Sequence, residues 1–184
     1  MALEELIEKR VENFKLLKTR EDDILKAVNM VIEALKSDNK IMFCGNGGAA
    51  SDANHLAAEF ISRFKLERAS LPAISLSSNN SIITAIANDY DFERVFSRQI
   101  EGLAREDDLL IGISTSGKSA NIQRAFVEAK KRGVKTIFLT GLNKTGADVD
   151  LEINAPSDIT AEIQEMHIAI GHVIAELAEK YFAQ

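Results

Sequence analysis

The sequence predicts an α/β fold, in which a five-stranded parallel sheet carries helices on both faces and follows an N-terminal helical hairpin. Three observations predict it. Short apolar runs rich in branched residues recur along the chain, helix-length segments separate most of them, and two amphipathic helical patterns precede the first run.

The elements follow in order. Leu3, Leu6, Ile7, Val11, Phe14 and Leu17 recur every three or four residues, and Ile24, Leu25, Val28, Val31, Ile32 and Leu35 repeat the pattern. They form the hairpin, over residues 1–37. Two amphipathic helices ahead of a complete sheet bring more apolar surface than one sheet needs, so residues 1–37 are expected to pack between subunits. After "SDNK" the pattern changes to "IMFC" at 41–44, "AISL" at 73–76, "LLIGIS" at 109–114, "TIFLT" at 136–140 and "LEINA" at 151–155. Apolar runs of this kind read as strands covered on both faces. Helical segments are expected over 49–64, over a broken pair spanning 80–103, and over 118–131. A long terminal helix is expected over 159–181, with Ile163, Met166, Ile170, Val173, Ile174 and Leu177 on one stripe. Pro72 and Pro156 sit at strand margins, where the missing amide costs least. With no internal repeat and no low-complexity linker, residues 1–184 read as a single domain.

Composition narrows the function. The 184 residues are 46% hydrophobic and 27% charged, ordinary for a globular chain, and the formal charge is −6. That balance argues against a nucleic-acid or membrane-surface role. A single cysteine, Cys44, excludes an intramolecular disulfide, and no apolar run reaches membrane-spanning length. With no cleavable leader pattern at the amino terminus, a cytoplasmic location is expected.

In an open parallel sheet, ligands collect beyond the carboxyl ends of the strands. Three such ends carry small or polar residues: "GNGG" after the first strand, "SSNNS" after the second and "STSGKSAN" after the third. The last places Ser114, Thr115, Ser116 and Ser119 around Gly117 just before a helix, where hydroxyls and helix-terminal amides suit phosphate oxygens. The same residues also suit a plain N-cap and turn. No Walker loop occurs, and "GNGG" departs from the dinucleotide fingerprint because Ala50 replaces its last glycine.

His55 and Glu59 share a helix face at i, i+4, and Gln164 and His172, eight apart, return to within about 80° of each other. If those helices meet above the sheet, the four residues could enclose a divalent metal, zinc foremost. The alternatives are a surface helix contact and a packed core histidine. Glu59 lies in the apolar setting "LAAEFI", and a carboxylate facing a histidine is equipment for moving protons on and off carbon. His167, between the proposed ligands, reads as a packing residue or as a support behind those ligands.

"CGNGGAASDANHLAAEF", "AIANDYDFERVFSRQ", "GISTSGKSAN" and "IQEMHIAIGH" together resemble the sedoheptulose 7-phosphate isomerases, or phosphoheptose isomerases, of the sugar isomerase (SIS) superfamily. The resemblance implies a three-layer α/β/α sandwich of flavodoxin-like type and a homotetramer with sites between subunits. It further implies an aldose–ketose isomerase acting on a sugar phosphate at the head of bacterial heptose synthesis. By motif position, Glu59 is the base and His172 the acid, while His55, Glu59, Gln164 and His172 hold one zinc per subunit. Asn46, Gly47, Gly48, Asn88 and Asp89 contact substrate together with Glu59 and Gln164, and Ser114, Thr115, Ser116 and Ser119 take the phosphate. The sequence departs from the family pattern at Ala49, usually serine, at Asn79 and Asn80, where aspartate is common, and at Glu162, where arginine is expected. A non-catalytic relative that binds the replication initiator DnaA shares the fold, but it lacks the carboxylate and distal histidine retained here as Glu59 and His172. A sugar-phosphate sensor would carry a DNA-binding domain, for which this chain has neither length nor basic patch.

Overall fold

The computed structural model describes residues 2–183. The hairpin consists of α1 (Leu3–Leu16) and α2 (Glu21–Lys36), joined by a 3₁₀ turn over Leu17–Arg20. Strands and helices then alternate: β1 (Ile41–Gly45), α3 (Gly48–Ile61), β2 (Ala73–Ser75), α4 (Asn80–Asp89), α5 (Ser97–Leu103) and β3 (Leu109–Ile113). After them come α6 (Ala120–Lys131), β4 (Lys135–Thr140), β5 (Leu151–Asn154) and α7 (Thr160–Phe182). A short 3₁₀ turn at Phe92–Arg94 separates α4 from α5, which is the break expected in that segment.

All strand pairings are parallel, in the order β2-β1-β3-β4-β5. Side chains alternate across the pleat, and both sets are buried. Ile41, Phe43, Leu109, Ile111, Ile137 and Leu139 pack with α2, α3 and α7, whereas Met42, Cys44, Leu110 and Phe138 pack with α5 and α6. These two faces make the three layers. Within the hairpin the helices differ: α2 buries Ala27, Val28, Val31, Ala34 and Leu35 in the main core, while α1 leaves Leu3, Ile7, Val11 and Phe14 exposed.

Because the chain steps from β1 outward to β2 and then back across to β3, the strand order reverses between β1 and β3. That point opens a crevice at the carboxyl ends of the two strands, where an α/β sheet takes its ligand. Both helices that begin there, α3 and α6, direct their amino termini toward it.

Candidate active site

A cavity of about 170 Å³ occupies this crevice, lined by Asn46, Ala49, Ile113, Ser114, Thr115, Ser116, Ser119 and Gln164. Its phosphate-suited wall is preformed. The Ser114 and Ser119 hydroxyls lie 3.1 Å apart, Gly117 N–H donates to Ser114 Oγ at 3.1 Å, and Lys118 N–H donates to Ser116 Oγ at 3.2 Å. Gly117 adopts φ +67°, which a glycine accepts without strain. Free amides at the start of α6 add positive potential, which suits an anion without requiring much formal charge.

The opposite wall is the turn into α3. Gly47 adopts φ +58°, and a Cβ on Gly48 would lie 2.4 Å from Gln164 Nε2, so the absence of a side chain lets Gln164 close over the turn. Asn46 is fixed by a reciprocal amide pair with Asn121 on α6: Asn46 Nδ2 donates to Asn121 Oδ1 at 2.9 Å, and Asn121 Nδ2 returns a bond to Asn46 Oδ1 at 2.8 Å. The two loops that face each other across the cavity are thereby tied.

Further along α3 and α7 the second group of expected residues converges. His55 Nε2 lies 2.8 Å from His172 Nε2 and 3.2 Å from Glu59 Oε1, and one donor atom from each of the three falls within 4.8 Å of the others. Two imidazole nitrogens and a carboxylate oxygen form a donor set suited to zinc with a coordination position left open. The 2.8 Å contact has to widen by roughly half an ångström to seat two nitrogens tetrahedrally at about 2.0–2.1 Å from one ion. His55 is half-exposed and on the open side, so that movement meets little packing. Burial lowers the His172 pKa from its ordinary value, His55 and Lys65 lower it further, and Glu59 opposes them. This favours the neutral ring, the form that binds a metal. Glu59 keeps 18% of its side chain exposed, less buried than its apolar neighbours suggest.

Gln164 stands on α7 two turns before His172, its amide against Gly48 at the cavity wall. Asn88 and Asp89, at the end of α4, bond each other (2.9 Å), are exposed, and do not line this cavity. His167 is fully buried with Nε2 2.9 Å from the Thr140 carbonyl, in keeping with a packing role. The departures find structural places too. Asn79 caps α4 by accepting from Ile82 N–H, and Glu162, which does not line the cavity, accepts from Ser157 Oγ at 2.7 Å.

A family model of the SIS domain matches residues 7–141. The chain is 57% identical over 163 residues to a phosphoheptose isomerase of Nitratiruptor sp., covering 86% of each chain. It is 49% identical to one of Akkermansia muciniphila, covering 92% of this chain and 90% of the other. The chain belongs to the phosphoheptose isomerase family. The solved phosphoheptose isomerase of Neisseria gonorrhoeae superposes with a TM-score of 0.88 at 35% identity, over 97% of this chain and 100% of that one. The solved enzyme from Francisella tularensis gives 0.90 at 32%, over 97% and 96%.

Sequence reasoning passed over three members of this phosphoheptose isomerase fold that touch the site's supports. Asn121 lay inside the "STSGKSAN" stretch but is defined by its partner 75 residues away. Arg68 and Glu179 look like ordinary surface charges in sequence, yet their side chains are 2% and 1% exposed. Their nearest sequence signal is the apolar setting of Glu179 in "AELAEKYF".

Proposed function

We propose that this enzyme interconverts D-sedoheptulose 7-phosphate and D-glycero-D-manno-heptose 7-phosphate, the first step of bacterial ADP- and GDP-heptose synthesis. One observation carries the reading: a phosphate-suited cavity and an acid–base cluster are joined by a single helix. α3 begins at the cavity with Gly48 and presents His55 seven residues on, about 10 Å along its axis. A ligand spanning both is a phosphorylated sugar several carbons long rather than a triose. The similarity to phosphoheptose isomerases over most of the chain supports the same substrate, and none of the relatives described above supports the initiator-binding alternative.

In this reading Ser114, Thr115, Ser116 and Ser119 hold the phosphate with the amides of α6, and Asn46, Gly47 and Gly48 approach the sugar hydroxyls. Asn88 and Asp89 complete the substrate contacts from a neighbouring subunit. Glu59 Oε1 is turned toward His55, so Oε2 takes the proton from C1. The C1–H electron pair forms the C1=C2 bond, and the C2=O pair moves to O2, which receives a proton from His172. Collapse of this enediol reverses the traffic. Glu59 returns its proton to C2, O1–H gives its proton to His172, and C1=O forms. A carboxylate to carry the carbon-bound proton and an imidazole to serve the two oxygens suit these transfers. His55, Glu59 and His172 would hold a zinc ion, which when bound supplies Lewis-acid stabilisation of the developing negative charge on the sugar oxygens. Gln164, expected as a fourth ligand, stands two turns before His172 at the cavity wall and would meet the sugar there. The enzyme is read as a cytoplasmic homotetramer in which residues 1–37 join subunits. No helix among the described residues is long and apolar enough to cross a membrane.

The test is NMR of sedoheptulose 7-phosphate incubated with the protein in deuterated water, beside Glu59→Gln and with a chelator. Heptose 7-phosphate carrying deuterium at C2, through exchange of the Glu59 proton with solvent during the lifetime of the enediol, is expected from the wild type. A loss of about 10³-fold or more is expected from Glu59→Gln, and the chelator is expected to abolish turnover. No conversion by folded, zinc-supplied protein would remove this substrate.

A further inference from the structure

The buried Arg68–Glu179 pair serves neither the cavity nor the donor cluster directly, yet it ties the end of α3, at the Glu59 carbonyl, to the helix that carries His172. Glu179 lies on α7, two turns after His172. Its Oε1 accepts from Phe64 N–H at 2.7 Å, and its Oε2 accepts from Lys65 N–H at 2.7 Å and Leu66 N–H at 2.9 Å. Arg68, with Nε 3.6 Å from Glu179 Oε1, turns its guanidinium onto the carboxyl end of α3. Nη2 donates to the carbonyl of Glu59 itself at 2.8 Å, and Nη1 donates to the carbonyls of Phe60 at 2.8 Å and Ser62 at 3.2 Å. Phe64, held by Glu179, lays its ring 5.2 Å from that of His172.

These contacts make one unit. The last turn of α3, the loop over residues 62–69 and the second half of α7 are bound by hydrogen bonds to two charged side chains that water does not reach. Burial raises the Glu179 pKa, but the three amides and Arg68 outweigh it, so the carboxyl titrates below its ordinary range and the clasp stays charged. Such a pair adds little net stability over apolar residues of the same shape, because desolvation offsets the attraction, whereas its geometry is strict. That contrast points to positioning.

We propose that Arg68 and Glu179 are positioning residues that set how far α3, with His55 and Glu59, stands from α7, with His172, and thereby set the affinity of the cluster for a divalent cation. The inference rests on reading the cluster as a metal site. Hydrogen-bonding partners behind metal ligands are worth about 10- to 100-fold in affinity or activity. The surface tether beside the clasp, Glu176 to Lys65 (2.7 Å) and Lys180 (2.9 Å), joins the same loop to the same helix but lies in water. It is the natural control.

The experiment measures zinc affinity of the full chain by competition with a chromophoric chelator, well below the melting temperature, together with kcat and KM. Glu179→Gln replaces one acceptor oxygen by an amide facing backbone N–H groups and is expected to weaken zinc binding about tenfold or more. It should lower kcat by a similar factor and leave KM for the sugar phosphate within about twofold. Arg68→Lys keeps the charge but cannot span the Glu59 and Phe60 carbonyls, and the same pattern is expected, which covers the case in which Glu179→Gln does not fold. Glu176→Gln should match the wild type within about twofold. A folded Glu179→Gln or Arg68→Lys protein with wild-type zinc affinity would overturn the proposal, as would a Glu176→Gln protein that loses affinity equally. His55→Ala separates the two readings. If it leaves zinc binding intact, the metal assignment fails and the clasp proposal with it; if it abolishes binding, the outcome for Arg68 and Glu179 judges the clasp alone.

Discussion

His167 shows how much one buried residue can decide. Desolvation lowers its pKa from 6.5 to about 4, against a smaller opposing effect of its bond to the Thr140 carbonyl, and its Nδ1 has no partner among the described residues. The ring is neutral in the folded protein, while the unfolded chain takes up a proton below pH 6.5. The stability is therefore complete above pH 6.5, falls as the pH drops, and stops falling on this account below about pH 4. The loss amounts to roughly 3 kcal/mol at about 1.4 kcal/mol per pH unit. Urea unfolding of His167→Gln at pH 7 and pH 4.5 should show a shallower decline than the wild type, and equal declines would mean the ring is not held neutral. The three histidines were equally visible in sequence, and periodicity placed all of them on helices. What it could not reveal is that His55 and His172 face each other at 2.8 Å while His167 faces a carbonyl.

At the scale of elements, the site depends on how closely α3 and α7 approach. Gly171 makes that approach possible: a Cβ there would lie 2.5 Å from Leu56 Cδ2 and 2.6 Å from Cδ1, and Leu56 is 1% exposed with no room to retreat. Gly171→Val is expected to cost about 1–3 kcal/mol by overpacking and to push His172 away from His55. Thermal melts and zinc titration of this variant should show both effects. Zinc binding unchanged in a destabilised protein would show that the helices move without opening the cluster. Helix and strand positions were legible because both faces of the sheet are buried and every helix shows its stripe. Ends were read less closely, as with β2, which closes at Ser75, one residue short of the apolar run "AISL". Ser77 beyond it bonds the Gly45 backbone, and β2 leaves pairing there.

For the whole molecule, the exposed stripe on α1 bears on association. Leu3, Ile7, Val11 and Phe14 face water in one chain, with Ile7 51% exposed, while the other side of α1 reaches α7 through Arg10 and Glu165 at 3.1 Å. A stripe of this size is expected to be covered by another copy. Light scattering should give a tetramer for the wild type and smaller species for Ile7→Glu/Val11→Glu, with the circular dichroism of the subunit retained. A double variant that remains tetrameric would place the interface elsewhere. The hairpin was read from sequence as one unit for association, but its halves differ because α2 meets the sheet and α1 does not.

The sequence by itself determined the order of strands and helices and the loops that meet at the crevice between β1 and β3. Each of these follows from local periodicity and from the handedness of parallel connections, which need no knowledge of distant partners. Only the tertiary structure decided which polar residues act together: Asn46 with Asn121, His55 with His172, and Arg68 with Glu179. Those pairs lie far apart in the chain, and the free energy of a buried polar group depends on the partner that folding brings to it.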